Sequence, residues 1–446
     1  MKFYWIITEI RKIKREIPRD LETRVGKKRV LEAFEGFTIR ERKYHTWPLF
    51  QVFLNQVASG ISCGEAIAWG IAQRLLPLKT SPKTSAFCNA KSRLPERPIF
   101  ELMKSVGAEV ESHAHKNHKT FGRNVKVVDG TSVQLPDSES NQRMYPQPDA
   151  QKPGCGQPHM KLCVLMGLGT GAIIDCVVDA YKVHERTMFR RLWPSLEKGD
   201  IVLGDRGFGS YAEVAMLLKM GVDFLFRQRQ GSLGTKDIRK IGKDEWIVTW
   251  KRPSQLGDWV SPSELPDRIE VRAIRFRTGI KGYRPKEIIL FTSLIDPGKY
   301  PKDKLIELYY RRWEMELRIR DIKSTMGMDL LKSKTPSGGR KELWMGLLAY
   351  NMVRGIMLDA ALRGRLPVSR ISFKTALNRL DVFSSGRFAD GDPERAYLLL
   401  LDYLIETRVP DRPGRFEPRL RKRRLDKKYT LLTIPRNAAR IEAFNA

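Results

Sequence analysis

The sequence is poor in cysteine, and its few cysteines show no paired spacing. There are five of them, an odd number, and no two stand in a Cys-x-x-Cys arrangement. A disulfide framework is therefore not expected. This usage is typical of a chain in a reducing compartment, so we expect a cytoplasmic protein.

Long uninterrupted apolar runs are also absent. The longest apolar segment, residues 343–362, contains Asn351, Arg354 and Asp359 and predicts a buried helix instead of a membrane span. The apolar start of the chain is interrupted at Glu9, and no small-residue cleavage site follows it, so no secretory signal is expected. We therefore expect no membrane partner.

Acidic residues are outnumbered by basic ones. The chain has 51 Asp and Glu against 81 Lys and Arg, a formal charge of +30 and a pI near 10.0. Such an excess predicts affinity for a polyanion. Nucleic acid is expected before an anionic membrane, because the basic stretches do not lie on amphipathic membrane-type helices. The 446 residues are enough for two or three domains.

The first part of the chain predicts a basic helical region. Residues 46–77 fit two helices broken at Ser59-Gly60, and a small-residue basic helix follows, with Lys83 and Arg93 near its ends. This pattern resembles a helix-turn-helix reader, in which Lys83 and Arg93 would bind DNA. An ordinary three-helix domain with a basic surface fits the same pattern equally well.

From residue 121 the hydrophobic period becomes strand-like. The pattern fits the order β-β-β-α-β-α-β, with Asp129 at the end of the first strand and Asp205 at the end of the fourth. Residues 131–135 either continue the first strand or pair with it. A β-rich insertion and further helices follow. The regions predicted are 1–120 (helical, basic, DNA-binding), 121–228 (first part of an α/β core), 229–300 (β-rich insertion), 301–375 (second part of the core) and 376–446 (helical and basic).

Residues 308–324 (LYYRRWEMELRIRDIKS) predict one helix with a polar stripe between apolar side chains. At about 100° per residue the stripe is roughly 60° wide. A Glu between two cations there needs a compensating partner such as a metal or a phosphate. The alternative is an exposed helix with charge pairs four residues apart. The stripe consists of Tyr309, Arg312, Glu316 and Lys323, and Glu314, Arg318 and Asp321 are predicted to face solvent.

Three carboxylates, Asp129, Asp205 and Glu316, are candidates for one oxygen-rich site. The ends of apolar strands point into a shared crevice, and a helix returning after the insertion can bring Glu316 there. Carboxylates suit Mg²⁺, and two such ions can activate water and stabilise the leaving oxygen of a phosphodiester. Each Asp segment alone is more typical of a turn.

The spacing Tyr309-x2-Arg312-x3-Glu316-x6-Lys323 resembles the Y-R-E-K signature of insertion-sequence family four of the DDE transposases. VVDGTSVQLPD and IVLGDRGFGSY are similar to the two Asp-bearing blocks of that family. EPRLRKRRLDKKYTLLTIPR is also similar, so the resemblance covers most of the chain. It implies an RNase H-like mixed-sheet catalytic core with a β-rich insertion.

The resemblance also implies a function, namely cut-and-paste DNA transposition by metal-dependent strand cleavage and strand transfer. Asp129, Asp205 and Glu316 would be the catalytic residues and the ligands of two Mg²⁺ or Mn²⁺ ions. Tyr309, Arg312 and Lys323 would hold the terminal phosphates of transposon DNA. Trp313, beside the stripe, is a candidate contact for sugar or base, but a Trp in this position is more typical of a core residue.

Partners follow from the same resemblance. They are double-stranded DNA, as terminal inverted repeats and as target, and a second copy of the chain in a synaptic homodimer within a bacterial nucleoid. Two other functions remain open. One is a non-catalytic DNA-binding protein derived from a transposase, against which the intact carboxylates argue. The other is an RNase H-like nuclease acting on other nucleic acid structures.

Overall fold

A computed structural model describes residues 26–37, 44–114, 118–228, 238–278, 286–383, 393–410 and 434–445. The predictions for residues 1–25 and for the basic stretch at 417–433 concern segments outside these ranges.

A nine-stranded sheet forms the centre of the described structure. Across the sheet, β2 runs antiparallel to both β1 and β3, whereas β1, β4 and β5 are parallel. This is the RNase H-like arrangement, so the predicted α/β fold class is confirmed. The strands are β1 (Val125–Gln134), β2 (His159–Gly167), β3 (Ile173–Ala180), β4 (Ile201–Gly204), β5 (Asp223–Gln228), β6 (Ile238–Gly242), β7 (Glu245–Lys251), β8 (Arg268–Thr278) and β9 (Lys286–Thr292). Their spatial order is β3-β2-β1-β4-β5-β9-β8-β7-β6.

Strand β1 is longer than its first apolar run. It continues through Asp129 and Gly130 to Gln134, so the segment after Gly130 extends the strand instead of pairing with it. Pairing with β4 stops at Val127, but pairing with β2 continues to Gln134. Asp129 therefore lies where β1 has a strand neighbour on one side only.

The strand-like pattern predicted after residue 229 corresponds to β6–β9. These strands are antiparallel, and β9 pairs with β5 at Leu225 and Phe226. The insertion thus extends the central sheet instead of forming a separate one. Arg272 of β8 is fully buried, where it pairs with Glu245 and donates to the Tyr300 carbonyl at 2.7 Å.

Helices lie before the sheet, between its strands and after it. The described helices are α1 (Lys27–Ala33), α2 (Thr46–Ser59), α3 (Cys63–Ala72), α4 (Thr84–Arg93), α5 (Glu96–Ser112), α6 (Glu139–Met144), α7 (Glu185–Arg190), α8 (Tyr211–Lys219), α9 (Lys302–Arg311), α10 (Trp313–Arg320), α11 (Pro336–Arg363), α12 (Phe373–Phe383), α13 (Pro393–Glu406) and α14 (Arg436–Asn445). A π-helical turn, Asp321–Thr325, follows α10. Of the helices described, none combines the length and the apolar character that a membrane crossing requires.

The apolar segment at 343–362 forms the buried part of α11, as predicted. Asn351, which is fully buried, joins this helix to two neighbours. Its amide nitrogen donates to the carbonyls of Met103 in α5 (3.0 Å) and Ile173 in β3 (2.9 Å), and its oxygen accepts from Ile173 N at 2.8 Å. The buried Asn351 amide therefore has hydrogen-bond partners for both its nitrogen and its oxygen inside the core.

Gly107 of α5 permits this close approach, because a Cβ there would overlap the Ile173 carbonyl oxygen. We expect Gly107→Ala to lower the free energy of unfolding by about 2–3 kcal/mol, since backbone on both sides must shift. Urea unfolding followed by circular dichroism measures the change. Gly64→Ala is the matched control, because the nearest atom to its Cβ would be Ser62 Oγ at 3.9 Å. Equal stability of the two variants would contradict the packing described.

Candidate active site

Asp129 and Asp205 occupy equivalent places on two neighbouring parallel strands. Val127 of β1 is opposite Leu203 of β4, and each Asp follows its member of this pair by two residues. Parallel pairing therefore brings both acids to the same edge of the sheet. Asp205 is near enough for its negative charge to raise the pKa of Asp129.

Arg312 connects Asp129 with Glu316 of α10. Its guanidinium lies 3.8 Å from Asp129 Oδ2 and 3.6 Å from Glu316 Oε1. The Arg312 side chain is only 12% exposed, whereas that of Glu316 is 44% exposed. The structure thus brings the three predicted carboxylates to one region, with a cation between the first and the third.

Arg312 has a bonding capacity that the protein does not use. Its Nε is buried and finds no hydrogen-bond acceptor among the described residues. The guanidinium also lies 5.8 Å from the ring of Tyr309 and 5.9 Å from that of Trp313. A buried donor beside two aromatic rings is a site at which an anionic oxygen can bind.

The predicted single helix at 308–324 is divided into three pieces. Helix α9 ends at Arg311, α10 begins at Trp313, and the π-helical turn follows Arg320. Lys323 lies in that turn and donates to Ser132 O at 2.8 Å and to Thr131 Oγ1 at 3.4 Å. These acceptors belong to β1 just beyond Asp129, so Lys323 fastens the helical segment to the strand of the first carboxylate.

Arg318 does not face solvent, and that prediction was wrong. The residue is 5% exposed and lies on a buried stripe with Met315 and Ile322. Its guanidinium donates to the carbonyls of Gly167 (3.1 Å) and Leu168 (2.7 Å) at the turn after β2. A helical wheel gives spacing around the axis, but only the position of the sheet decides which side is buried.

Trp313 lies at the surface, so its interpretation as a core residue was also wrong. It is 49% exposed, and Tyr310 and Leu317, three residues before and four after it, are 41% and 51% exposed. This places an exposed apolar stripe on α9 and α10 beside the Glu316 side chain. Its use as a DNA contact stays a prediction.

Burial changes the acidity of Asp129. Desolvation, assisted by the charges of Asp205 and Glu185, raises its pKa from 3.8 to about 6, against the opposing effects of the Gly130 N–H and Arg312. Burial likewise raises the pKa of Tyr309, which is 3% exposed. The protein therefore holds the Asp129 carboxylate at a free-energy cost near neutral pH.

Glu185, the first residue of α7, is a fourth carboxylate in this region that the sequence interpretation missed. Glu185 Oε2 and Asp205 Oδ1 lie 3.9 and 3.0 Å from the point that a Cβ on Gly207 would occupy. A Cβ on Gly130 would overlap the Glu185 carboxylate itself. The feature of the sequence that could have identified Glu185 is its position soon after β3. This strand is parallel to β1 and ends at the same edge of the sheet as β1.

The donor set suits a hard divalent cation by its chemistry, since all its members are carboxylates. Among the residues that the structure describes, however, no three His, Cys, Asp or Glu side chains are spaced to hold one ion. Arg312 stands between Asp129 and Glu316. A cation shared by these two acids therefore requires Arg312 to move aside.

Lys83 and Arg93 lie apart from this group, on the N-terminal helical region. Lys83 directly precedes α4 and Arg93 is its last residue, and both are exposed. Helix α4 packs against α2, α3 and α11. The two cations thus flank one helix on the surface.

The segment that holds these carboxylates matches a known family. The model of the family described as "Transposase DDE domain" matches residues 120–352. This chain belongs to the DDE transposase family. The match contains both Asp blocks and the whole Y-R-E-K helix.

Individual relatives agree with this assignment. The chain is 28% identical over 297 residues to transposase InsG for insertion sequence element IS4 of Escherichia coli K12, which confirms the resemblance to insertion-sequence family four. It is 22% identical over 192 residues to the putative transposase InsZ of the same strain. The alignments cover 65% and 42% of this chain, and 64% and 58% of those relatives. The chain thus spans less than two thirds of either relative.

A solved structure is similar in outline. The piggyBac transposase in a synaptic complex with hairpin DNA superimposes with a TM-score of 0.44 at 10% sequence identity. The match covers 88% of this DDE transposase family member and 84% of the piggyBac chain. At this TM-score the similarity is too weak to bear on function.

The raised pKa of Asp129 predicts a stability effect without metal. Because the pKa of Asp129 is raised from 3.8 to about 6 by folding, ionisation of this group lowers stability progressively between these two pH values, and the loss is complete above pH 6. We expect Asp129→Asn to stabilise the protein by on the order of 2–3 kcal/mol at pH 7.5 in EDTA, and by about a third of that at pH 4.5. Urea unfolding at the two pH values checks both. No gain at pH 7.5 would contradict the burial of a charge at Asp129.

Proposed function

We propose that this chain is a DNA transposase that cleaves phosphodiester bonds at the ends of a DNA element and joins the released ends to target DNA. The observation that carries the proposal is that Asp129 lies near Asp205 at one edge of the sheet and is joined to Glu316 through Arg312, within a DDE domain. Neither carboxylates at the end of a sheet nor a family match would be sufficient alone.

The three acids are the proposed catalytic residues and metal ligands, and Mg²⁺ or Mn²⁺ is the proposed cofactor, with two ions as the expected number. When bound, these ions activate water and stabilise the leaving oxygen of the phosphodiester. Asp129 is part of strand β1, Asp205 directly follows β4, and Glu316 lies on helix α10. The Glu316 side chain is 44% exposed and that of Asp129 is 20% exposed, so Glu316 is the more accessible of the two from solvent.

Arg312 is proposed to bind a DNA phosphate together with Tyr309 and Lys323. A phosphate oxygen would supply the acceptor that Arg312 Nε lacks. Drawing the guanidinium toward DNA would also remove the cation that stands between Asp129 and Glu316. Metal binding is therefore expected to strengthen when the DNA end is in place. Lys323 already contacts β1, so it is placed to add positive charge near Asp129.

The DNA is proposed to contact other parts of the surface as well. Trp313 is proposed to pack on sugar or base, and the exposed Lys83 and Arg93 to bind the duplex through phosphates. The proposed substrates are terminal inverted repeats and target DNA. We further propose that two copies act in one synaptic complex on the bacterial nucleoid.

Loss of the third carboxylate tests the proposal. We expect Glu316→Gln to lower nicking by about three orders of magnitude, since an amide is a poor ligand for Mg²⁺. The assay uses a DNA fragment carrying the sequences that flank the reading frame, with Mg²⁺ in excess over protein and DNA. Glu307→Gln, exposed on α9 and paired with Lys304, is the matched control and should cleave like the wild type.

Two results would count against this function. Nicking by Glu316→Gln at the wild-type rate would remove Glu316 from the catalytic set. Retention of the fragment without nicking by the wild type, in Mg²⁺ and in Mn²⁺, would favour the non-catalytic DNA-binding protein.

Glu185 is proposed to support the metal site from beside Asp129 and Asp205. We expect Glu185→Gln to raise the Mg²⁺ concentration for half-maximal nicking about tenfold, because a nearby negative charge is lost. Glu139→Gln is the control, since Glu139 also begins a six-residue helix but is exposed. Identical metal dependence in both variants would assign Glu185 a structural role only.

A further inference from the structure

Two cysteines distant in sequence lie side by side in the N-terminal helical region. Cys63 is the first residue of α3, and Cys88 lies in the middle of α4. Their sulfur atoms are 3.7 Å apart, and the Cys88 thiol donates to Cys63 Sγ. The sequence, which lacks any Cys-x-x-Cys spacing, did not reveal this pair.

A cation is held against one of the two sulfurs. Lys91 Nζ lies 3.4 Å from Cys63 Sγ and donates to Gln56 Oε1 at 2.8 Å. The ammonium also lies 5.0 Å from the ring centre of Phe53 and 4.7 Å from that of Phe87. These contacts fix the positive charge beside Cys63, where it can stabilise negative charge that develops on the sulfur during a reaction.

The pair is open to small molecules. Both cysteines line a cavity of about 640 Å³ between the N-terminal helices and the segment that leads into α11. Cys88 is exposed and Cys63 is partly exposed. Cys155, Cys163 and Cys176 are buried, and burial raises the pKa of the Cys163 and Cys176 thiols. The chain thus contains one accessible pair and three shielded cysteines.

We propose that Cys63 and Cys88 form a peroxide-sensitive dithiol that closes reversibly to a disulfide. The Cys63 sulfur attacks hydrogen peroxide, so that an S–O bond forms and the O–O bond breaks, and the leaving hydroxide takes up the Cys63 thiol proton and becomes water. The Cys88 sulfur then attacks the Cys63 sulfur, so that the S–S bond forms, the S–O bond breaks and the hydroxyl group leaves with the Cys88 proton as the second water. Two electrons pass from the thiols to one peroxide, and a thiol reductant reverses the change.

The order of attack follows from the geometry. Cys63 has the adjacent cation and accepts the hydrogen bond, whereas Cys88 donates it. Partial desolvation, together with the hydrogen bond to Cys63, raises the pKa of the Cys88 thiol, so Cys88 is the weaker candidate for the first attack. The product would join α3 to α4, the helix that Lys83 and Arg93 flank. The site is independent of the proposed DNA cleavage.

The test is oxidation of the full chain with dilute hydrogen peroxide, followed by alkylation and peptide mass spectrometry. We expect an intramolecular Cys63–Cys88 linkage that dithiothreitol removes, with the three buried cysteines still alkylated after unfolding. In Cys88→Ser, Cys63 should accumulate as a sulfenic acid that dimedone traps. In Cys63→Ser, Cys88 should stay unmodified.

Lys91→Met provides the second measurement, with circular dichroism to verify folding. We expect linkage to form about tenfold more slowly, because the positive charge 3.4 Å from the attacking Cys63 sulfur is gone. Lys79→Met, on an exposed residue that does not line the cavity, is the control and should react like the wild type. Absence of the linked peptide in the wild type, linkage through a buried cysteine, or an unchanged rate in Lys91→Met would each overturn the proposal.

Discussion

The parallel pairing of β1 with β4 sets the geometry on which the candidate site depends. Because Val127 is opposite Leu203, two aspartates that are 76 positions apart in the chain arrive at the same level of the sheet. A slip of this register by one residue would separate them and turn one side chain to the other face. The antiparallel partner β2 continues past this point and keeps Asp129 on extended backbone.

Grouping carboxylates in this way costs free energy, and the surrounding structure offsets it. Burial and neighbouring charges raise the pKa of Asp129, and Arg312 compensates only in part at 3.8 Å. Lys323 and Arg318 then hold the helical segment to the sheet through backbone carbonyls. A carboxylate whose pKa is shifted by burial and neighbouring charges in this way is typical of a functional site.

Several of the basic residues serve the interior instead of a polyanion. Arg318, Lys341 and Arg354 are each at most 5% exposed, and all three donate to main-chain carbonyls. The Lys341 ammonium, for example, donates to the carbonyls of Ser92 (2.9 Å) and Leu94 (3.0 Å) at the end of α4. The net charge of +30 therefore overstates the charge available to DNA at the surface.

The sequence alone determined what depends on local pattern and spacing. Strand alternation gave the order of the core strands, the apolar run gave the buried helix α11, and the Y-R-E-K spacing gave the family. It left open whether β1 continues through Asp129 and whether Trp313 is exposed, and it did not reveal the burial of Arg318 or the presence of Glu185 and of the Cys63–Cys88 pair. Each of these depends on which distant segment packs against the residue, and neither helical periodicity nor side-chain chemistry contains that information. Only the tertiary structure decided them, because register between strands and the facing of a helix are set by contacts between residues far apart in the chain.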